Sequence, residues 1–178
     1  MRVLTPLLFA PLLTGCAVVS IEDGFVIDEP IDAVVVNLSN GEITLAGSAR
    51  DQTTVEIDFG GLTFDQVGHE VVDGVLYVDF DCGITCGGEL DLKVPPDAEI
   101  YVDVGSGAVT THFDLAPPVL DVDLGAGDVD VYVPEGGYQL QLKAGAGSVE
   151  TDGVWDEDGA GRLIAIHAGA GAISVTGE

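Results

Sequence analysis

One phrase recurs five times in this chain and restricts its fold more than any other feature: an alternating apolar and polar arm, a short glycine turn, and a second alternating arm. The copies run Val36 to Leu45, Val102 to Thr111, Val122 to Val131, Leu142 to Thr151 and Ile166 to Val175. Their turns read Ser39-Asn40-Gly41, Gly105-Ser106-Gly107, Gly125-Ala126-Gly127, Gly145-Ala146-Gly147 and Gly169-Ala170-Gly171. Across the last four copies the final glycines are spaced by 20, 20 and 24 residues. Period-two alternation on both sides of a turn is the pattern of strands with one buried face, and no helical period competes with it. A unit of about 20 residues cannot bury its own apolar side, so copies must stack on each other. The expected fold is all-β: a single β-solenoid, parallel β-helix-like, with rungs of about 20 residues. A β-sandwich made of hairpins around the same turns is the alternative. The constant phase favours the solenoid, with Val36, Val102, Val122, Leu142 and Ile166 forming one interior column and Ile43, Val109, Val129, Val149 and Ile173 another.

Between the first and second copies the pattern loosens, with strands expected at Thr54 to Phe59, Val71 to Asp81 and Glu89 to Val94. Pro95-Pro96, Pro117-Pro118 and Pro134 mark corners between strands, where a missing N–H does no harm.

The 178 residues carry 31 acidic and 5 basic side chains, a net charge of −26. Apolar residues make up 47%, too many for an intrinsically disordered chain, so a folded body with its own core is expected. A nucleic-acid groove or a polybasic membrane patch works by clustering cations against phosphates, and this chain lacks the cations for either.

At the N-terminus, Met1-Arg2 precedes an apolar stretch from Val3 to Leu13, too short to span a bilayer as a helix. It ends in Leu13-Thr14-Gly15-Cys16, which resembles the lipobox of bacterial lipoproteins. The resemblance implies that residues 1–15 are a signal peptide and that Cys16 becomes the lipidated first residue of the mature protein. Residues 16–31 would then be the tether and first strand, and 32–178 the repeat domain. Removing 1–15 takes one cation and no acid, so the net charge falls from −26 to −27. Ala17 stands where an Asp would imply inner-membrane retention, so the same resemblance implies sorting to the outer membrane. Several acyl chains make a stable anchor where one would be marginal, and an acidic body is held off anionic headgroups. The expected location is the cell envelope.

The remaining cysteines, Cys82 and Cys86, form a close pair. In an oxidising compartment a disulfide closing this small loop is the leading reading. A redox pair or half a zinc site are the alternatives, but the spacing is not Cys-x-x-Cys, and zinc would have to recruit from His69, His112 and His167.

The stretch Leu90-Asp91-Leu92-Lys93-Val94-Pro95 leading into Ile100-Tyr101-Val102-Asp103-Val104-Gly105-Ser106-Gly107, with the repeated Gly-x-Gly-x-Val-x-Val phrase, resembles a bacterial β-strand-repeat family labelled “putative adhesin”. That family is a domain of unknown function common in exported proteins and lipoproteins. The resemblance covers roughly residues 32 to 178 and implies a β-helix-like repeat fold and an envelope location, with no binding residues to carry over.

Stacked copies would align outward residues too: Asn37, Asp103, Asp123, Lys143 and His167 in one column, and Thr44, Thr110, Asp130, Glu150 and Ser174 in its neighbour, with Asp121 and Asp128 close by. Asp103 against Asp123, and Asp130 against Glu150, would set like charges one strand apart. Calcium would suit such oxygens, but the calcium-binding repeat pattern wants Asp where this chain has Val129, Val149 and Ile173, so a solvated acidic face is the default. A polysaccharide lyase would need a cationic clamp, and Arg50, Lys93, Lys143 and Arg162 are scattered. Ser106, His112 and Asp114 are the residue types of a triad, yet Gly-Ser-Gly is not a nucleophile elbow. The Gly-Ala-Gly turns lead into strands, not the helix a phosphate cradle requires. Trp155 would cover a core edge or form a recognition tip.

The expectation is therefore a non-catalytic envelope lipoprotein, a scaffold or adhesin with no metal or cofactor. A carbohydrate-active β-helix enzyme, lyase or hydrolase, is the alternative. Its partners would be the membrane through the lipid, an envelope protein or glycan, and a second copy at the edge left open after the last strand at Gly177-Glu178.

Overall fold

A computed structural model describes residues 19–47, 53–61, 66–81 and 86–178, the side chains of 19–23, 59–61, 66–67, 81 and 86 excepted. Cys16, Arg50 and Cys82 lie outside the described residues, and Cys86 opens a strand. The described chain is all-β. In order its strands are β1 (Val19–Ile27), β2 (Ala33–Gly47), β3 (Thr53–Gly61), β4 (Gln66–Val72), β5 (Val75–Asp81), β6 (Cys86–Val94) and β7 (Glu99–His112). They continue with β8 (Val119–Val133), β9 (Gly136–Ala146), β10 (Val149–Asp152), β11 (Val154–Asp156), β12 (Leu163–Ala170) and β13 (Ile173–Gly177).

The sheet is mostly parallel. β2 and β7 pair in register from Ala33 with Glu99 to Ala46 with His112, and β7 pairs with β8 in the same way. β12 and β13 together make the next rung, β12 lying on the first arm of β8 and β13 on its second. β9 and β10 follow on β12 and β13. On the other side of β2, β5 pairs with its first arm and β6 with its second. Only β1 with β3, β3 with β6, and β4 with β5 are antiparallel among the described strands. A sandwich of hairpins would show the reverse balance.

The phase of the repeat is as expected, and the order of the rungs is not. Val36, Val102, Val122, Ile166 and Leu142 do form a column, but the fifth copy of the phrase sits between the third and the fourth. The last strand, β13, is therefore paired on both sides, with β8 and β10. The edge expected after it lies instead on β9 and β10.

What bends each rung is visible in the burial pattern. Leu38 and Ile43 are both buried, as are Val104 and Val109, Leu124 and Val129, and Ala168 and Ile173. In an uninterrupted strand, residues five apart point to opposite faces. The glycine turn reverses the phase, so both arms deliver their apolar sides to one core. Gly41, Gly107, Gly127, Gly147 and Gly171 adopt φ between 133° and 158°. A Cβ on Gly127 would meet the carbonyl oxygen of Gly107 at 1.7 Å, and the same collision recurs for Gly171 on Gly127 and Gly147 on Gly171. The first glycines form a second ladder, with Gly125 over the Gly105 carbonyl and Gly169 over that of Gly125. The turn is thus dictated by contact between rungs as much as by local backbone.

One of the expected strands is broken. Val71 to Asp81 is not continuous: Asp73 (φ 52°) and Gly74 (φ 80°) turn the chain between β4 and β5. Asp-Gly is a favoured hairpin turn because both residues tolerate positive φ. That hairpin and the β1–β3 ribbon flank one end of the stack, where the Phe25 and His69 rings stack at 3.7 Å and join β1 to β4. The opposite end is barer. β10 is exposed throughout, Val149 is 43% exposed, and Leu142 is only half-buried. Val154 of β11 is buried there while Trp155 is 56% exposed, its indole N–H donating to Glu157 at 3.3 Å, so Trp155 does not cover the core.

Two substitutions test this account. Gly127→Ala is expected to destabilise the fold by about 3 kcal/mol or more, whereas Gly161→Ala, which meets nothing within 4 Å, is expected to be neutral or slightly stabilising. Thermal melts of the two variants check the contrast. Thr111 is fully buried with its hydroxyl unpaired, at a position where the neighbouring rungs carry Leu45 and Val131. Thr111→Val is expected to stabilise by about 1 kcal/mol, raising the melting temperature by roughly 2–4 °C.

Candidate functional surface

The outward side chains of the first arms form a continuous polar column: Asp79, Asn37, Asp103, Asp123, His167 and Lys143, each on the strand beside the last. Its charges are partly interleaved. Asn37 donates its amide to Asp79 at 2.6 Å, and His167 Nδ1 lies 3.5 Å from Asp123 Oδ1. With side chains 47% and 64% exposed, the latter pair contributes about 0–1 kcal/mol even when the imidazole is charged. Asp103 and Asp123 do stand side by side, as expected. Asp130 and Glu150 do not: Ser174 lies between them, because β13 intervenes. Asp128 has a structural task, accepting the Ala172 N–H at 2.8 Å across neighbouring turns.

Of the triad types only His112 and Asp114 are brought to one place, and Ser106 is not. Ser106 sits in a turn and donates to Asn40, whereas His112 lies six residues on at the far end of the arm, about 20 Å along an extended strand. The three histidines have separate neighbours, His69 on Phe25, His112 on Tyr132 and His167 by Asp123. Among the described residues no three His, Cys, Asp or Glu side chains gather in a metal-holding group. The described cations do not converge either: Lys93 is on β6, while Lys143 and Arg162 lie at the β9 end, with β2, β7, β8 and β12 between. Tyr101 donates to Glu99 at 2.8 Å, and that bond first, then burial and the Glu99 and Asp121 charges, raises its phenol above the ordinary value. Tyr138 donates to the Pro134 carbonyl at 2.6 Å, and burial raises its phenol too, against the lowering effect of Arg162.

One constellation is not among the sequence expectations. His112 and Tyr132 are cross-strand partners on the outer face of the second arms, and their rings stack at 4.5 Å with an interplanar angle of 5°. They border a recess of about 490 Å³ at the rim of the stack, with Asp114 and Glu178 among its lining residues. The alternating pattern places both rings outward, and the 20-residue repeat that aligns Thr110 with Asp130 aligns these two as well, two positions further along. Their pairing depends on the register of β7 with β8.

No known family profile matches the chain, and no curated protein matches it. Solved structures do. A “putative cell adhesion protein” from Clostridium sporogenes superposes with a TM-score of 0.55 at 16% identity, covering 88% of this chain and all of that one. A “putative adhesin” from Parabacteroides merdae aligns over 88% of this chain and 96% of its own, at 10% identity and a TM-score of 0.32. The former likeness is one of fold: the mostly parallel β architecture of this chain resembles that of the clostridial protein.

Proposed function

We propose that this protein is a non-catalytic, lipid-anchored scaffold or adhesin of the cell envelope, a β-solenoid whose flank presents a solvated acidic surface. The observation that carries the reading is the paired glycine ladder. It holds rungs in register along a stiff parallel stack, and such a stack displays aligned side-chain columns without building a catalytic cleft. The fold likeness to the clostridial cell adhesion protein supports the same reading. So does the outward chemistry, in which Ser106 lies apart from His112, the histidines have separate neighbours, and Lys93 lies apart from Lys143 and Arg162. The anchor rests on the Leu13-Thr14-Gly15-Cys16 motif and the apolar run before it. Acyl chains on Cys16 would hold the body at the outer membrane, and the disulfide between Cys82 and Cys86 would close the loop before β6.

Two measurements test this reading. Cys16→Ser is expected to abolish acyl labelling and move the protein from the membrane to the soluble fraction; unchanged labelling would refute the anchor. The acidic flank makes a separate claim. With a net charge of −26 and like charges on adjacent strands, screening should relieve repulsion. The melting temperature should rise by a few degrees between about 10 mM and about 0.5 M NaCl. A fall with salt would mean that ion pairs hold the surface together instead.

A further inference from the structure

The outward column of the second arms runs Lys93, Ala46, His112, Tyr132 and Thr176 on successive strands. Tyr132 covers one face of the His112 ring. On the other side the column steps down to Ala46, whose methyl is too short to cover the second face. Gly47 follows with no side chain, and the buried Phe113 lies beneath it, 3.6 Å from where a Cβ would stand. The result is a slot one strand spacing wide, opening into the recess of about 490 Å³, within the range of ligand pockets. The slot is firmly framed: the Phe113 N–H donates to the Tyr132 carbonyl at 3.0 Å, and the Glu178 N–H to the Val133 carbonyl at 2.8 Å.

From this geometry we infer that the slot between Ala46 and His112 binds the ring of a neutral pyranose, stacked on the imidazole, with Asp114 and Glu178 accepting hydrogen bonds from its hydroxyls. A sugar ring has an apolar C–H face and a rim of hydroxyl donors. The slot offers the complement, a flat ring face beside carboxylate acceptors. Hydrogen bonds to charged acceptors are the stronger kind and give such a site its selectivity. An anionic sugar is disfavoured by the −26 of the chain and by the Asp114 and Glu178 carboxylates that line the recess; Lys93, one strand beyond Ala46, borders the slot but does not line the recess. An organic cation is the rival guest. Cation–π binding wants the face of Trp, Tyr or Phe, and here the Tyr132 face toward the slot is already taken by His112.

The test is a titration of the full chain with methyl β-D-glucopyranoside and methyl α-D-mannopyranoside, following the imidazole C–H resonances. The chain has three histidines, so His112 is assigned by the signal lost in His112→Ala. A saturable shift of the His112 resonance with at least one pyranoside, at a Kd of about 1 mM, is expected, with His69 and His167 unmoved. Ala46→Phe fills the slot while leaving every binding group in place, and should weaken binding by about tenfold or more. Asp114→Asn should weaken it by about tenfold through loss of the charged acceptor. No His112 shift with either sugar at about ten times that concentration overturns the inference, as does a shift seen only with tetramethylammonium. Binding that survives Ala46→Phe also overturns it, since the sugar would then lie elsewhere.

Discussion

The structure depends on how closely one backbone can approach the next at a corner. Along an arm, neighbouring strands keep the ordinary sheet spacing and side chains stand clear of it. At the turn the carbonyl of one rung occupies the place where a Cβ of the next would be, 1.7 Å away at Gly107, Gly127, Gly147 and Gly171. Any side chain there would push the rungs apart, and every apolar column flanking the corner would open with them. The repeated glycines are therefore a condition on stacking. That accounts for why they recur in a chain whose arms vary freely among Val, Leu, Ile and Ala.

This steric rule makes some features readable and leaves others hidden. The phase of each copy is local, so the inward columns through Val36 and Ile43 follow directly from alternation and turn position. The neighbour of each rung is not local. Val122 matches Leu142 as well as it matches Ile166 in a sequence pattern, and choosing between them depends on how the chain passes through residues 152–163. β11 pairs there with the start of β9, and the chain then returns to insert β12 against β8. The insertion also parts Asp130 from Glu150, so the chosen order spares one like-charge contact that sequential stacking would have imposed.

The surface divides along the same line. Which residues face outward was legible; which of them touch was legible only in part, at Asp103 and Asp123 but not at Asp130 and Glu150. Ser106, His112 and Asp114 look related in the sequence because they are near one another in it, yet the strand carries Ser106 away from the other two, which line one recess. Tyr132 is twenty residues from His112 and lies on top of it, since one repeat length separates cross-strand partners. The Asp73-Gly74 turn is a different case: its hairpin chemistry is written in two adjacent residues, and the alternation on either side conceals the break by continuing through it.

The place of β12 and β13 within the stack bears on how the molecule is assembled. Residues 139–151 rest on a platform formed by residues later in the chain, so they have no docking surface until 163–177 have joined β8. A polypeptide emerging in order could add β7 to β2 and β8 to β7 as each becomes available, but must then hold β9 and β10 waiting. Loops that close late over long separations slow folding and leave unpaired strands exposed in the interval. Completion of the barer end thus reverses the order of the chain, with β12 and β13 seating on β8 before β9 and β10 can seat on them.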